Sequence, residues 1–402
     1  MEAVTPIVSF AGVFALGIIF AVLGAVKLRL AEILQVDDAQ YGRLISTLMF
    51  ASMIAVLIIG PLQDAIGYMP IGIVGFVAGG VCLWILASAK NYGIALLACA
   101  LLGIGAMCAN TIGNTLGPTV LFDGDNPAAA SNWLNVFFGI GAFITPVIIG
   151  KVMGKLGYQK TVSIIGAIVF VPVILVFLAD FPEAAGDFEL AASLGLLTTG
   201  YVIFGGLSLF CYIGLEASMA GFVSTYLKGQ DLTDEQANTW LSGFWVGLIA
   251  ARLVAALLLG PLDPIYHAPV IPALGVLAVI SISLMVIAKT SKAGIVGTVL
   301  TGVALGPIFP TIVGVTFSKS AAIDAGIAGS VFGWIFAIGL LGGTLVPMLI
   351  GKLSAEGTIR QSMKAAVVVA AVLIVLSGIL WLGVPEADPE EIGDVVAMTM
   401  GR

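Results

Sequence analysis

The sequence predicts an all-α membrane protein in which about 12 transmembrane helices form two pseudo-symmetric six-helix bundles. First, 60% of the 402 residues are hydrophobic and only 10% are charged, which is more apolar than a water-soluble domain requires. Second, long apolar runs recur along the chain and are separated by short polar breaks. Third, short segments reappear after about half the chain length, which indicates an internal duplication.

The apolar runs are interpreted as helices because each is apolar on every face. Residues 366–384, AVVVAAVLIVLSGILWLGV, show this pattern, whereas the strands of an outer-membrane barrel alternate apolar and polar residues. In the first run, residues 8–31, Lys27 and Arg29 come only at the end, so we predict a helix rather than a signal peptide. The predicted crossings are centred near residues 20, 50, 80, 106, 139, 168, 210, 248, 278, 305, 337 and 373.

The internal duplication has an offset close to half of the chain. TPVIIGK at residues 145–151 reappears 201 residues later as VPMLIGK at residues 346–352, and the GPL of residues 60–62 reappears at residues 260–262. Parallel halves of this kind are typical of transporters that bind substrate between the halves and alternate access by rocking. We therefore predict an N-terminal bundle at residues 1–180, a linker at 181–193, a C-terminal bundle at 194–385 and an acidic tail at 386–402.

Enzymatic and nucleic-acid functions are disfavoured by composition. The single histidine, His267, lies in a predicted loop, and no nucleophile or paired-carboxylate motif accompanies it. The four cysteines lack paired spacing, so we expect neither a disulfide frame nor a metal site. The chain has no basic surface suited to nucleic acid, and we expect no cofactor.

The segment GPLQDAIG, residues 60–67, resembles the G-x-x-x-D-x-x-G signature between helices 2 and 3 of the major facilitator superfamily. The resemblance implies a major facilitator fold and gives Asp64 a part in a conformational latch. Gly60 and Gly67 would allow close approach of helix ends, and Asp263 ends the repeated GPLD. The basic residues that normally follow are replaced by Ala65, Tyr68 and Met69, which implies a weaker or differently built latch.

Two further segment pairs resemble one subgroup of that superfamily. Residues 103–118 and 131–146 are similar to helices 4 and 5 of the fucose permease type of sugar:proton symporter, and residues 212–227 and 244–263 to helices 7 and 8 of its bacterial relatives. The resemblance spans most of the chain and implies a monomeric transporter of a sugar or related solute with a proton. It implies a multi-pass protein of the bacterial inner membrane, surrounded by lipid.

Glu216 and Arg252 are ionisable residues well inside predicted helices, where a charge is costly and usually serves a function. Counted from the loop between their helices, their depths differ by about 7 Å. In one interpretation Glu216 binds the coupling proton, and its contact with Arg252 changes between states. In the other, the two form a permanent ion pair, or Arg252 snorkels and Glu216 bonds to backbone.

Two positions that are acidic in the resembled family are not acidic in this sequence. The acidic residues that the family places in helices 1 and 4 fall near Gly24 and Asn110 here, and neither side chain can carry a proton. Symport would therefore depend on Glu216 alone. The alternatives are an uncoupled facilitator, another coupling ion, or an exporter of small organic anions or amphipathic compounds that uses Arg252 as its anion anchor.

Amide and aromatic side chains are the candidate substrate ligands. Amides at i, i+4 or i, i+3 share a helix face and suit hydroxyl-rich ligands, although interhelical hydrogen bonds are the alternative. Aromatic rings can stack on a sugar, and Trp245 lies seven residues before Arg252, on the same face. The predicted substrate-binding residues are Asn110, Asn114, Asn135, Phe138, Trp245 and Trp334.

The loop charges and the family resemblance indicate opposite orientations. With the cytoplasmic N-terminus of the family, which we retain, 13 lysines and arginines fall outside and mainly Lys319 and Arg402 inside. The positive-inside rule predicts the reverse. The outer residues would be Lys27, Arg29, Arg43, Lys90, Lys151, Lys155, Lys160, Lys228, Lys289, Lys292, Lys352, Arg360 and Lys364.

Overall fold

The computed structural model describes residues 3–184, 190–355 and 357–387. Within these ranges the regular structure is helical and no strand occurs. The middle of the predicted linker, residues 185–189, and the predicted acidic tail from residue 388 onward lie outside the described residues.

The first part of the chain forms long helices joined by very short connections. Gly157, with φ 76° and ψ 170°, interrupts α5, and only glycine adopts such a backbone conformation at no steric cost. The chain therefore reverses there and α5 with α6 supplies two crossings. The helices are α1 (Thr5–Leu34), α2 (Asp38–Ile66), α3 (Tyr68–Ser88), α4 (Tyr92–Val120), α5 (Pro127–Phe170) and α6 (Val173–Leu178).

The second part repeats this pattern with one broken crossing. A turn at Gly306 and Pro307 separates α11 from α12, so these two helices form one span, residues 291–320. The remaining crossings are single helices. The helices are α7 (Leu190–Gly195), α8 (Gly200–Lys228), α9 (Asp234–Leu259), α10 (Val270–Ile287), α11 (Ser291–Leu305), α12 (Ile308–Ser320), α13 (Ala328–Ala355) and α14 (Ile359–Leu382).

The predicted number of crossings is confirmed. Among the described residues, 11 segments are long and apolar enough to span a membrane. One of them, Pro127–Leu178, has 52 residues and contains the Gly157 turn, so it crosses twice and the total is 12. Each predicted centre falls within one of these crossings.

The start of the second helix in each half is marked by the same local signal. Asp37 begins α2 and Thr233 begins α9, and each forms a capping box with the glutamine three residues later, Gln40 and Gln236. Two backbone amides that would otherwise lack partners are satisfied in this way. These helix boundaries are therefore determined locally.

The chain forms two compact units, each made mainly from one half. The first contains Met1–Asp123, Phe137–Ser193 and Ala325–Gly333, and the second contains Gly124–Val136, Leu194–Asp324 and Trp334–Arg402. The start of α5 thus groups with the second unit and the start of α13 with the first.

Within each unit one helix packs against several others. In the first unit α4 contacts α1, α2 and α3, and Ser52 of α2 donates to the Gly103 carbonyl of α4 at 3.2 Å. In the second unit α8 contacts α9, α11, α12 and α14, and Tyr226 of α8 donates to the Met285 carbonyl of α10 at 2.7 Å. Small residues and hydroxyl groups at such contacts are typical of helix packing in membranes.

Candidate functional site

The first unit holds a buried amide pair on α4. Asn114 Nδ2 donates to Asn110 Oδ1 at 2.8 Å and to the Asn110 carbonyl at 3.1 Å. Both residues are only 1% exposed. Residues at i and i+4 share a helix face, as predicted for these two amides, and the hydrogen bonds between them follow from that placement.

The amides at the start of α5 belong to the second unit. Asn132 Nδ2 donates to the Ala128 carbonyl at 2.9 Å and to Thr311 Oγ1 of α12 at 3.0 Å. Asn135 Nδ2 donates to the Ser131 carbonyl at 2.9 Å. Asn132 therefore links two helices, whereas the described bond of the Asn135 side chain stays within α5.

Arg252 is the centre of a hydrogen-bond network in the second unit. Its side chain is 2% exposed. Nη2 donates to the Tyr212 hydroxyl at 2.9 Å and approaches Glu216 Oε1 at 3.4 Å, and Nη1 donates to the Asn135 carbonyl at 3.3 Å. The structure thus brings together Glu216 and Arg252, which the sequence singled out, and adds the backbone of Asn135 to their surroundings.

The fourth acceptor of Arg252 lies at the break between α11 and α12. Arg252 Nε donates to the Gly306 carbonyl at 2.9 Å. In a continuous helix this carbonyl would accept from residue 310, but that residue is proline and has no N–H. The guanidinium therefore satisfies a backbone group that the sequence leaves without a helical partner.

Tyr212 is the residue that sequence reasoning missed. Its hydroxyl donates to Glu216 Oε1 at 2.7 Å, and the side chain is fully buried. The available signal was its position four residues before Glu216, which places both side chains on one face of α8. Gly306 could likewise have been found from Pro310, four residues after it.

The aromatic candidates are distributed over both units. Phe138 lies on the part of α5 in the first unit, close to Gly17 of α1. Trp245 of α9 packs edge to face on Phe244 with ring centroids 5.2 Å apart, in the second unit. Trp334 begins the stretch of α13 that belongs to the second unit. Each of these three aromatic side chains is partly buried.

The predicted latch residue Asp64 caps the start of α13 within the first unit. Its Oδ1 accepts from the Gly329 amide at 2.8 Å and its Oδ2 from the Ser330 amide at 2.7 Å. A carboxylate is stabilised at a helix N-terminus by the free amides and by the helix dipole. This contact uses backbone donors, so it does not require the basic residues that the signature lacks.

Gly60 allows the Asp64 contact to form. A Cβ at Gly60 would overlap the Gly329 carbonyl oxygen, and one at Gly329 would overlap the Gly60 carbonyl and the Asp64 carboxylate. Gly67, with φ 84°, ends α2 in a conformation that favours glycine. The three signature residues therefore have different roles: Gly60 allows close approach of the helices, Asp64 accepts hydrogen bonds from the start of α13, and Gly67 ends α2.

The repeated aspartate has different surroundings. Asp263 is exposed and accepts from the Ile265 amide at 3.0 Å, which caps a short turn. In the second unit, Asn126, just before α5, bonds to the C-terminal end of α9. Its Nδ2 donates to the Leu259 carbonyl at 3.0 Å and to the Gly260 carbonyl at 3.2 Å. The last carbonyl groups of α9 thus accept hydrogen bonds from the Asn126 amide, whereas Asp263 caps only its own turn.

Metal and thiol chemistry have no visible site in the described part of the chain. No group of three or more histidine, cysteine, aspartate or glutamate side chains there could hold a metal ion. Cys82, Cys99, Cys108 and Cys211 are all buried and unbridged. His267 lies beside the Leu259 carbonyl, with Nε2 at 3.2 Å from the oxygen.

Duplicated apolar helices with a buried ionic network define a multi-pass secondary transporter. The sequence model of the Major Facilitator Superfamily matches residues 8–347, and the chain belongs to this family. Membership confirms the predicted fold class, the integral membrane location and the prediction of a transporter rather than an enzyme.

The curated relatives are bacterial and match most of the chain. The chain is 24% identical over 318 residues to the glucose/mannose transporter GlcP of Bacillus subtilis (strain 168), covering 74% of this chain and 75% of the relative. It is 23% identical over 328 residues to a putative glucose/galactose transporter of Helicobacter pylori (strain ATCC 700392 / 26695), covering 76% and 78%.

The solved structures that resemble the chain include FucP. The crystal structure of the transporter FucP in the outward conformation has a TM-score of 0.76 and 20% identity, and the alignment covers 94% of this chain and 99% of FucP. A variant of the E. coli fucose:proton symporter FucP gives the same values. The predicted resemblance to the fucose permease type is thereby confirmed at the level of the fold.

Proposed function

We propose that this chain moves a hexose or related sugar across a bacterial cell membrane together with a proton, by alternating access. Support for the sugar comes from the curated relatives, which are named as glucose/mannose and glucose/galactose transporters. The proposed partners are the sugar, a proton and the surrounding lipid, and the proposed functional unit is a monomer.

The observation that carries the proton coupling is the contact of Glu216 with Tyr212 and Arg252. The Glu216 side chain is 20% exposed whereas that of Arg252 is 2% exposed. The carboxylate is therefore more accessible than the guanidinium. Protonation of Glu216 removes the negative charge beside a buried cation, so it changes the balance of contacts in the second unit.

The geometry favours a reversible contact between Glu216 and Arg252 over a permanent ion pair. The direct approach of Arg252 Nη2 to Glu216 Oε1 is 3.4 Å, longer than the 2.7 to 2.9 Å that is usual for a charge-assisted hydrogen bond. Arg252 also keeps the Gly306 and Asn135 carbonyls as acceptors, and these do not depend on the charge of Glu216. Arg252 is thus held whether or not Glu216 is ionised, which is what a reversible partner requires.

Sugar recognition is proposed for the amide and aromatic candidates. Asn110 and Asn114 present a buried amide pair, and amides provide both donors and an acceptor for hydroxyl groups. Asn135 lies next to the Arg252 network, so a sugar held there would be close to the coupling group. The aromatic side chains of Phe138, Trp245 and Trp334 are proposed to stack on the apolar faces of the sugar.

The rival function, export of organic anions anchored by Arg252, is less well supported. An anion anchor needs guanidinium donors that are available to the ligand. Here Nε, Nη1 and Nη2 of Arg252 already donate to two carbonyls, a hydroxyl and a carboxylate. An incoming anion would have to displace these acceptors.

Uptake into proteoliposomes tests the proposal. The panel is labelled glucose, galactose, mannose and fucose with representative organic anions, with and without an inward proton gradient. We expect gradient-driven sugar accumulation that Glu216→Gln abolishes. Glu235→Gln is the matched control, because Glu235 is exposed in the first turn of α9. Sugar equilibration that is unaffected by the proton gradient and by Glu216→Gln would indicate a facilitator. Anion flux without sugar flux would favour the exporter.

A further inference from the structure

We propose that Tyr212 is a positioning residue for Glu216, whose hydroxyl links the carboxylate to Arg252 and thereby sets the proton concentration at which Glu216 is loaded. This inference rests on the proposed function, in which Glu216 carries the coupling proton. In this inference Tyr212 does not carry the proton itself; it positions the group that does.

The hydroxyl of Tyr212 is a closer partner to each charged group than they are to each other. It lies 2.7 Å from Glu216 Oε1 and 2.9 Å from Arg252 Nη2, whereas these two atoms are 3.4 Å apart. A guanidinium only donates and an ionised carboxylate only accepts. The hydrogen bonds therefore run in one direction, from Arg252 to Tyr212 and from Tyr212 to Glu216.

The tyrosine is held in place by packing as well as by these bonds. Tyr212 is fully buried, and its ring lies 5.8 Å from that of Phe309 in a tilted arrangement. Phe309 in turn packs edge to face on Phe336 at 5.9 Å. The hydroxyl thus keeps its position while the carboxylate gains or loses a proton.

The direction of the effect follows from the donor. A hydroxyl that donates to a carboxylate stabilises the ionised form, since the protonated acid is a weaker acceptor. Removal of the hydroxyl leaves Glu216 with Arg252 alone at the longer distance. Glu216 then holds its proton more tightly, and a proton-requiring transport step continues to higher pH.

Arg252 is the charged group on a neighbouring helix that contacts Glu216. α8 packs against α9 to α14, whose other charged side chains lie near the ends of their helices. Tyr201, Cys211, Tyr226 and Lys228 are the further titratable residues of α8 itself. The charged residues at the ends of the packed helices are Asp234, Glu235, Lys292, Lys319, Lys352, Arg360 and Lys364.

The test is the pH profile of gradient-driven sugar uptake for the full chain in proteoliposomes. Tyr212→Phe removes only the hydroxyl. The matched control is Tyr226→Phe, because Tyr226 is 1% exposed on the same helix and its hydroxyl donates to the Met285 carbonyl at 2.7 Å. We expect the half-maximal pH to rise by about one pH unit, a tenfold change in proton concentration, for Tyr212→Phe only.

The outcomes separate this inference from the proposed function. If sugar uptake by the wild-type protein does not depend on the proton gradient, the proposed coupling is wrong and this inference is wrong with it. If Glu216→Gln abolishes gradient-driven uptake but Tyr212→Phe keeps the wild-type pH profile, only the role of Tyr212 is overturned. A Tyr212→Phe protein that cannot be purified, when Tyr226→Phe can, would give the hydroxyl a structural role and also overturn the inference.

Discussion

Arg252 Nε lies 2.9 Å from the Gly306 carbonyl oxygen, so a charged side chain of α9 satisfies the backbone at the break between α11 and α12. The same guanidinium contacts Glu216 of α8 and the Asn135 carbonyl of α5. One side chain therefore joins three other parts of the second unit. Its removal should affect stability and transport together.

Arg252→Ala is expected to lower the free energy of unfolding by about 3 to 5 kcal/mol, because it leaves a partly buried carboxylate without its cation. The Gly306 carbonyl loses its partner as well. Thermal unfolding of the purified protein in detergent measures the effect. The exposed residue Arg43 provides the control, since Arg43→Ala should change stability by less than about 0.5 kcal/mol. Equal melting temperatures for the two variants would contradict the assigned role of Arg252.

Asp64→Asn is expected to impair transport more than the same change at the repeated aspartate. An asparagine has one acceptor oxygen and would turn an N–H₂ group toward the Gly329 or Ser330 amide, so a charge-assisted bond of about 1.5 to 3 kcal/mol is lost. A bias of that size in a two-state equilibrium corresponds to a change of about tenfold or more. Asp263→Asn alters an exposed turn cap, and its initial uptake rate should stay close to wild type. Equal losses would disprove the asymmetry between the two repeats.

Gly60→Ala is expected to reduce transport because its Cβ would overlap the Gly329 carbonyl. The helix start that carries Gly329 would have to move away from α2. Gly42 lies in the same helix, and a methyl group added there would meet no atom within 4 Å, so Gly42→Ala should stabilise the helix by roughly 0.5 to 1 kcal/mol. Uptake and melting temperature of both variants are the measurements, and a harmless Gly60→Ala would contradict the close crossing.

Asn135→Ala and Asn132→Ala should separate recognition from packing. Asn135 is a proposed sugar ligand, so its loss should raise KM for sugar. Asn132 bonds to Thr311 of α12, and an interhelical bond of this kind contributes about 0.6 kcal/mol on average in a membrane protein. Asn132→Ala should therefore lower the melting temperature. An unchanged KM in Asn135→Ala would remove Asn135 from the proposed sugar site.

Membrane orientation can be read with introduced cysteines, because the four native cysteines are buried. Lys90 and Asp123 are exposed at opposite ends of α4. In the family orientation, a membrane-impermeant maleimide should label Lys90→Cys in intact cells and Asp123→Cys only after permeabilisation. The reverse pattern would show the inverted orientation that the loop charges favour.

Local features of the site were accessible from sequence. The pairing of Asn110 with Asn114 follows from their i, i+4 spacing, and the depth of Glu216 and Arg252 follows from the length of their helices. The partners of Asp64 were not accessible, since Gly329 is 265 residues away. The link from Arg252 to Tyr212 depends in addition on how α8 and α9 are rotated about their axes. A helix that is apolar all round carries no sequence signal for that rotation.

The sequence by itself determined the crossings, the duplication and the family, because a bilayer demands about 20 apolar residues per helix whatever the helix packs against. Capping residues and Gly157 also define local boundaries without tertiary help. Only the tertiary structure decided that the starts of α5 and α13 group with the opposite units. It also decided that Asp64 caps a helix while Asp263 caps its own turn, and that Tyr212 lies between Glu216 and Arg252. Such contacts depend on close packing between distant segments, which no local pattern of residues specifies.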